Sequence, residues 1–446
     1  MLSCVFLIIF LLIFFVLIKK DHVYLIPMIM IVYSNINGLV SPENFALMGI
    51  IKFSDYGLVI TLLLLVFGIF KLRKLDPEYV GAIKKDPLFN AINVFWVYYM
   101  CLFVYSVLIQ RELIWPIKMG RYFFYGLNYY LIYLILIPNP IINFNKIVNC
   151  LMVATLIFGL LYIVYNLFDW NVYPTGEYES FRIKYINGNI KRNFSGFPTF
   201  AYFFILLFTD RLFQRQNNII FYLIGLAILL ICILLMLTRG LVIMTGLMVG
   251  FMAVYRRFSA HSLRRITVLV SLIAITLVLL PLLAEGHYQT MLMRFGELFT
   301  QGLTGSANFR VRSDEFMRIV KDVINFNPLF GFGFTLAKAS NYNSYNYTVG
   351  SSDNGYSNLI GVTGFVGLGI FIAMIICWFI VNIRLQAMKV ESYSRVNFVL
   401  IIFMLGIALD SSYISYTHNF VLFMVYDILA YAHFRYNCRR IIHSHG

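Results

Sequence analysis

Charge is scarce in this sequence. Asp, Glu, Lys and Arg make up 12% of 446 residues, against 61% for the hydrophobic types. With a mean hydropathy of +0.80, that balance excludes a string of soluble domains and points to an integral membrane protein. The six cysteines (Cys4, Cys101, Cys150, Cys232, Cys377, Cys438) lie scattered in apolar segments or the tail without a C-x-x-C spacing. Neither a disulfide framework nor a zinc site is indicated. Gly331-Phe332-Gly333 lacks the Gly-Lys-Ser/Thr that would complete a P-loop. No HExxH, no GxSxG and no histidine pair at helical spacing occurs, which leaves a metal hydrolase or a hydrolase elbow without support. No internal repeat is visible, and Asp427 is the one clear mid-helix ionisable residue, with Asp55, Asp210 and Asp410 near helix ends. That is a thin relay for ion-driven transport. Met1 to Ile18 has no basic leader and no small-residue cleavage site, and Lys19-Lys20 follow it, so it reads as an uncleaved first helix.

What the sequence does have is a succession of apolar runs, each about long enough to cross a hydrocarbon core of about 30 Å as a helix and too long for barrel strands. They fall near 1–18, 23–40, 56–70, 89–109, 122–137, 147–168, 197–210, 219–237, 240–255, 266–284, 356–381, 396–411 and 418–434. The expected fold is an all-α polytopic membrane protein with about 12–14 transmembrane helices. It forms a single membrane domain over 1–446, with two long outer loops at 169–196 and 285–355. Lys and Arg in alternate short connections (Lys71, Arg73, Lys84, Arg256, Arg265, Arg384, Arg439 among them) mark the cytoplasmic side and place the C-terminus there. The tail from Arg435, with His443 and His445, is expected against anionic headgroups.

The remaining basic residues sit mostly in the two outer loops, where the positive-inside bias does not act; they suggest either an anionic ligand at the outer face or long loops that translocate whatever charge they carry. Guanidinium groups bind phosphate oxygens through paired, charge-assisted bonds. Four patches stand out. Thr238-Arg239-Gly240 joins two apolar spans with almost no loop, so Arg239 lies at headgroup depth, either snorkelling or fixed inward by the tight turn. Lys191-Arg192-Asn193-Phe194-Ser195-Gly196-Phe197-Pro198 closes the first outer loop, as a basic helix flank or a ligand site. Arg310-Val311-Arg312-Ser313-Asp314-Glu315 opens a stretch with Phe316, Ile319, Val320, Val323 and Ile324 at helical spacing. This predicts an amphipathic helix lying on the membrane, its arginines either ligand-binding or paired with Asp314 and Glu315. Finally, Asp353-Asn354-Gly355-Tyr356 leads into Gly361, Gly364, Gly367 and Gly369. The glycine spacings suit close helix packing, and Asp353 suits an N-cap. Glu177, Asp410 and His418 are second-tier candidates. Tyr342, Tyr345 and Tyr347 suit an interfacial belt or a sugar-stacking surface.

In these patches the chain resembles the O-antigen polymerase and ligase superfamily, the Wzy-type membrane glycosyltransferases. Arg192 with Ser195 to Pro198 looks like that family's Arg-x-x-Gly loop end, and Thr238-Arg239-Gly240 looks like its Ser-Arg-Gly. Arg310 to Phe334 is similar to its arginine, amphipathic helix and Pro-Leu-x-Gly-x-Gly ending, and Asp353 to Tyr356 is similar to its entry to a helix. Aspartate stands at 353 where ligases usually carry histidine, which favours a polymerase, and no tryptophan follows the arginine pair. The resemblance implies inverting, metal-independent and cofactor-free transfer of a saccharide from undecaprenyl diphosphate to a hydroxyl of a second lipid-linked repeat unit. The setting would be the outer face of a bacterial inner membrane, within lipopolysaccharide synthesis. Arg192, Arg239, Arg310 and Arg312 would bind the diphosphate, with Arg239 also stabilising the leaving group, and Asp353 would orient or deprotonate the acceptor. Membrane lipids, a flippase and a chain-length regulator are the implied partners. An O-antigen ligase and a flippase for lipid-linked oligosaccharide remain the alternatives.

Overall fold

A computed structural model of the chain describes residues 21–34, 77–111, 128–167, 183–186, 190–193, 198–213, 218–236, 239–255, 307–334, 355–388, 393–407 and 418–444, with a few isolated positions between them. These form an all-α membrane protein with one small β-hairpin. Pro87–Ile109, Pro140–Val164 and Gly355–Ala387 are long and apolar enough to cross a membrane. His22–Ile31, Ile219–Leu235, Gly240–Ala253, Tyr393–Gly406 and Leu422–Phe434 are shorter apolar helices. The outward faces of these helices are greasy: Val97 is 65% exposed, Leu108 71% and Ile220 75%. Such surface is stable in lipid rather than water. The expected spans near 1–18, 56–70 and 266–284 lie outside the described residues apart from isolated positions.

The chain groups into two compact units interleaved in sequence, residues 1–59 with 143–302 and residues 60–142 with 303–446. The first unit holds α1 (Leu25–Ser34), nearly all of α5 (Pro140–Leu167), a hairpin of β1 (Ile183–Ile186) and β2 (Ile190–Asn193), and α6 (Pro198–Phe213), α7 (Ile219–Leu235) and α8 (Arg239–Tyr255). The run Phe200 to Asp210 of α6 is buried throughout, and α6 packs against both α7 and α8. Gly225 of α7 lets the Phe208 ring approach, since a Cβ there would lie 2.7 Å from the ring edge. Cys232 donates to the Gly159 carbonyl at 3.3 Å, and Lys146 pairs with Asp21 at 2.7 Å.

The second unit holds α2 (Pro77–Lys84), α3 (Pro87–Gln110), α4 (Asn128–Leu136), α9 (Ala307–Phe326), α10 (Gly355–Ala387), α11 (Tyr393–Ile407) and α12 (His418–Ser444). Local chemistry sets the ends of α3. Asp86 caps it, accepting from Leu88 N at 2.8 Å and Phe89 N at 3.3 Å, Pro87 fills the first helical position, and Arg111 ends it in the left-handed region at φ 54°. At 24 residues, α3 reaches about 36 Å, enough to span. Helix α10 packs against α3, α9, α11 and α12. It makes a polar contact with Asp427 of α12, which is fully buried. Trp378 Nε1 donates to Asp427 Oδ2 at 2.7 Å, Asn382 Nδ2 to the same oxygen at 2.9 Å, and Asn397 Nδ2 to both oxygens at 3.0 and 3.1 Å. The mid-helix aspartate is thus the tie among α10, α11 and α12. Beyond the apolar part of α12, Tyr436 packs on Tyr79 of α2, so the first turn of the expected headgroup-facing tail touches protein.

Candidate functional site

The polar stretch between α9 and α10 builds its described part on a turn. Helix α9 ends at Phe326, and Asn327 Oδ1 then accepts from Leu329 N and Phe330 N, both at 3.1 Å, so its side chain stands in for the next turn of backbone. Gly331 and Gly333 follow at φ 62° and 67°, left-handed conformations that glycine adopts without steric cost. The turn lies against α10 where that helix is interrupted: Gly364 has φ 63° and ψ −168°. The break frees backbone groups of α10, and the turn takes them up. Phe332 N donates to Gly361 O at 2.7 Å, Gly333 N to Val362 O at 3.1 Å, and Phe365 N to Pro328 O at 2.8 Å. A buried helix break is tolerable only when such orphans find partners. The two backbones meet so closely that a Cβ on Gly331 would lie 2.5 Å from Gly361 O, and one on Gly364 would overlap the Leu329 carbonyl.

The glycines of α10 therefore divide. Close helix packing was expected of all four, and Gly367 fits that role beside Thr363 and Tyr98, but Gly364 sits at a backbone break and Gly369 has nothing within 4 Å. Period alone cannot tell these roles apart.

Helix α9 is amphipathic, as its spacing predicts. Its apolar stripe is covered by protein: Ile319 and Val323 are buried with Phe332 and Ile360, flanked by Phe316, Val320, Phe326 and Leu368. Met317 and Ile324 remain exposed. Arg310 and Arg312 lie in the first two turns of α9, and Arg312 is half-buried on the same stripe as Phe316, Ile319 and Val323. Asp322, farther along, has its carboxyl pushed above the ordinary range by burial, partly offset by Arg318 and Lys321.

At the other end of the stretch, α10 begins at Gly355. Tyr356 donates to the Leu405 carbonyl of α11 at 2.9 Å, and Gly355, Ser357 and Asn358 are buried. The first turn of α10, next to Asp353 in the chain, is thereby fixed against α11. Asp353 itself lies outside the described residues, as do Thr238, Glu177, Asp410, Tyr342, Tyr345 and Tyr347. In the first unit, Arg239 is the first residue of α8. Arg192 is in β2, where the antiparallel register sets it across from Lys184, with Lys191 across from Tyr185. The structure thus places Arg310 and Arg312 on one helix in one unit, and Arg192 and Arg239 on two elements of the other. Among the described residues no group of three His, Cys, Asp or Glu side chains could hold a metal ion.

Sequence reasoning missed the contribution of α3. Tyr98, Tyr105 and Ser106 of this helix all bond to the 327–334 turn. Within an apolar span their spacing reads as ordinary lipid-belt or core residues, and nothing local announces a partner more than 220 positions away.

Residues 224–372 match the family described as O-Antigen ligase. The match covers about a third of the chain and runs from α7 through the break in α10, including Arg239, Arg310, Arg312 and Asp353 but neither Arg192 nor α3. No curated protein matches the chain.

Proposed function

We propose that this protein is an inverting membrane glycosyltransferase that polymerises undecaprenyl-diphosphate-linked repeat units at the periplasmic face of the inner membrane. The observation that carries the proposal is the O-antigen ligase match over residues 224–372, which takes in three of the four singled-out arginines and Asp353. Two features of placement support it. Arg310 and Arg312 stand in the first two turns of α9, near a helix N-terminus, the end of a helix that favours anions. The antiparallel register likewise puts two basic residues, Lys184 and Arg192, at facing positions of the hairpin. In this reading the four arginines bind the diphosphate and strengthen their hold as the departing group gains charge. Asp353 takes the proton of the attacking hydroxyl as the glycosidic bond forms at the anomeric carbon and the bond to diphosphate breaks.

The family description equally supports a ligase, which would pass the saccharide to a lipid A core acceptor. Purified protein given a synthetic lipid-linked repeat unit, with EDTA and without nucleotide, tests both readings. Polymer from the repeat unit alone supports the polymerase. Transfer occurring only when lipid A core is added would replace it with the ligase, and no glycosyl transfer under either condition would refute the proposal. In cells, Arg239→Ala is expected to leave single-repeat product and abolish long chains.

A further inference from the structure

We infer that Tyr98 and Tyr105 of α3 are positioning residues for the proposed transfer, setting the angle at which α9 carries its arginines. The inference rests on the glycosyl-transfer reading. The two tyrosines are seven positions apart, on one face of α3, and grip the turn at both ends. The Tyr98 hydroxyl lies between the carbonyls of Thr363 in α10 and Leu329 in the turn, the latter at 3.0 Å. Tyr105 donates to Gly331 O at 3.3 Å and accepts from Asn327 Nδ2 at 2.9 Å. Both rings lie on Phe330, with centroids 6.0 and 5.2 Å away and Tyr98 almost parallel to it. Ser106 adds a bond from Phe334 N at 2.9 Å. Helix α3 thereby clamps the turn onto the break in α10.

The clamp sits at the C-terminal end of α9, and the arginines at the other. From Phe326 back to Arg312 is 14 residues, a lever of about 21 Å. A tilt of about 5° at the clamp would carry Arg312 through about 2 Å, and displacements of about 1 Å in a catalytic constellation are worth up to about a hundredfold in rate. Ile319 and Val323 resist such a tilt only through apolar contact, which has no angular preference of its own. Directional hydrogen bonds at the pivot supply one. Tyr98 and Tyr105 act through α9, without touching substrate or reacting atoms.

The test is Tyr98→Phe, Tyr105→Phe and the double variant, which keep the rings on Phe330 and remove the hydroxyls. Purified folded protein is expected to show kcat lowered about tenfold in the double variant with KM for the lipid-linked repeat unit within about threefold. A kcat per folded molecule within about twofold of the parent overturns the inference. Should the double variant fold poorly, the milder Tyr105→Phe carries the same test. An independent readout comes from spin labels at Met317→Cys on α9 and Ile376→Cys on α10, with Cys101 and the other native cysteines replaced. Their distance distribution is expected to broaden or shift in the tyrosine variants, and an unchanged distribution refutes the clamp. Absence of transfer by the parent protein defeats the functional reading instead, and the label experiment still decides whether the tyrosines hold α9.

Discussion

Replacing Asp427 by alanine perturbs a fully buried polar network. The carboxylate accepts four hydrogen bonds from three side chains on two other helices, all in a site without solvent access. Asn382 keeps a second bond to the Trp378 carbonyl at 3.0 Å, so its amide is partly compensated. The Trp378 indole N–H and the Asn397 amide lose the acceptor they share. At about 1–3 kcal/mol for each buried donor stripped of its acceptor, Asp427→Ala should destabilise the fold by about 2–6 kcal/mol. Asp427→Asn keeps one acceptor oxygen and should cost less. Replacing all four groups together by apolar residues of similar volume should recover much of the loss, because no donor is then stranded. Reversible unfolding in mixed micelles, followed by tryptophan fluorescence, measures these differences. A loss below about 1 kcal/mol for Asp427→Ala, or a fourfold apolar variant no better than the single one, would refute the view that the carboxylate holds α10, α11 and α12 together.

Gly364→Ala puts a side chain into a conformation close to glycine-only and against the Leu329 carbonyl. It should cost about 2–6 kcal/mol, whereas Gly369→Ala, with open space around it, should change stability by less than about 1 kcal/mol; the same unfolding assay compares them. Burial raises the Asp322 carboxyl, so its contribution favours the fold below the ordinary value of 3.8 and turns into a cost as pH rises through the folded value. Asp322→Asn is therefore expected to raise Tm at pH 7 and to lose that gain in acid. Asp21 behaves in the opposite sense, held low mainly by its hydrogen bond to Lys146. Lys146→Met should lower Tm slightly at neutral pH, and the difference should vanish as Asp21 protonates below its ordinary value, as a melting series across pH would record. Asp353→Asn should reduce polymer formation far more than binding of the lipid-linked substrate, and equal losses in the two would contradict a role in proton removal.

The helices were legible in the sequence because lipid imposes a length and composition that one-dimensional pattern records directly. The apolar runs expected near 89–109, 197–210, 219–237, 240–255 and 418–434 coincide closely with α3, α6, α7, α8 and the apolar part of α12. The amphipathic spacing of α9 and the turn-like Asn327 to Gly333 were equally readable, since periodicity and glycine are local signals. The site was legible only as residue types. Arg192, Arg239, Arg310 and Arg312 stand out in the sequence as cations expected on the outer side, and the fold assigns them to β2, the start of α8 and the start of α9.

Sequence alone determined that this is a helical membrane protein, because hydropathy and charge are summed along the chain. Only the tertiary structure decided that Gly364 opens α10, that the turn after α9 satisfies the exposed backbone, and that Tyr98 and Tyr105 of a distant apolar helix fasten the junction. A hydrogen bond between positions 98 and 329 leaves no trace in local pattern. It exists because burial forces every freed backbone group to find a partner, and folding determines which helix is close enough to provide it.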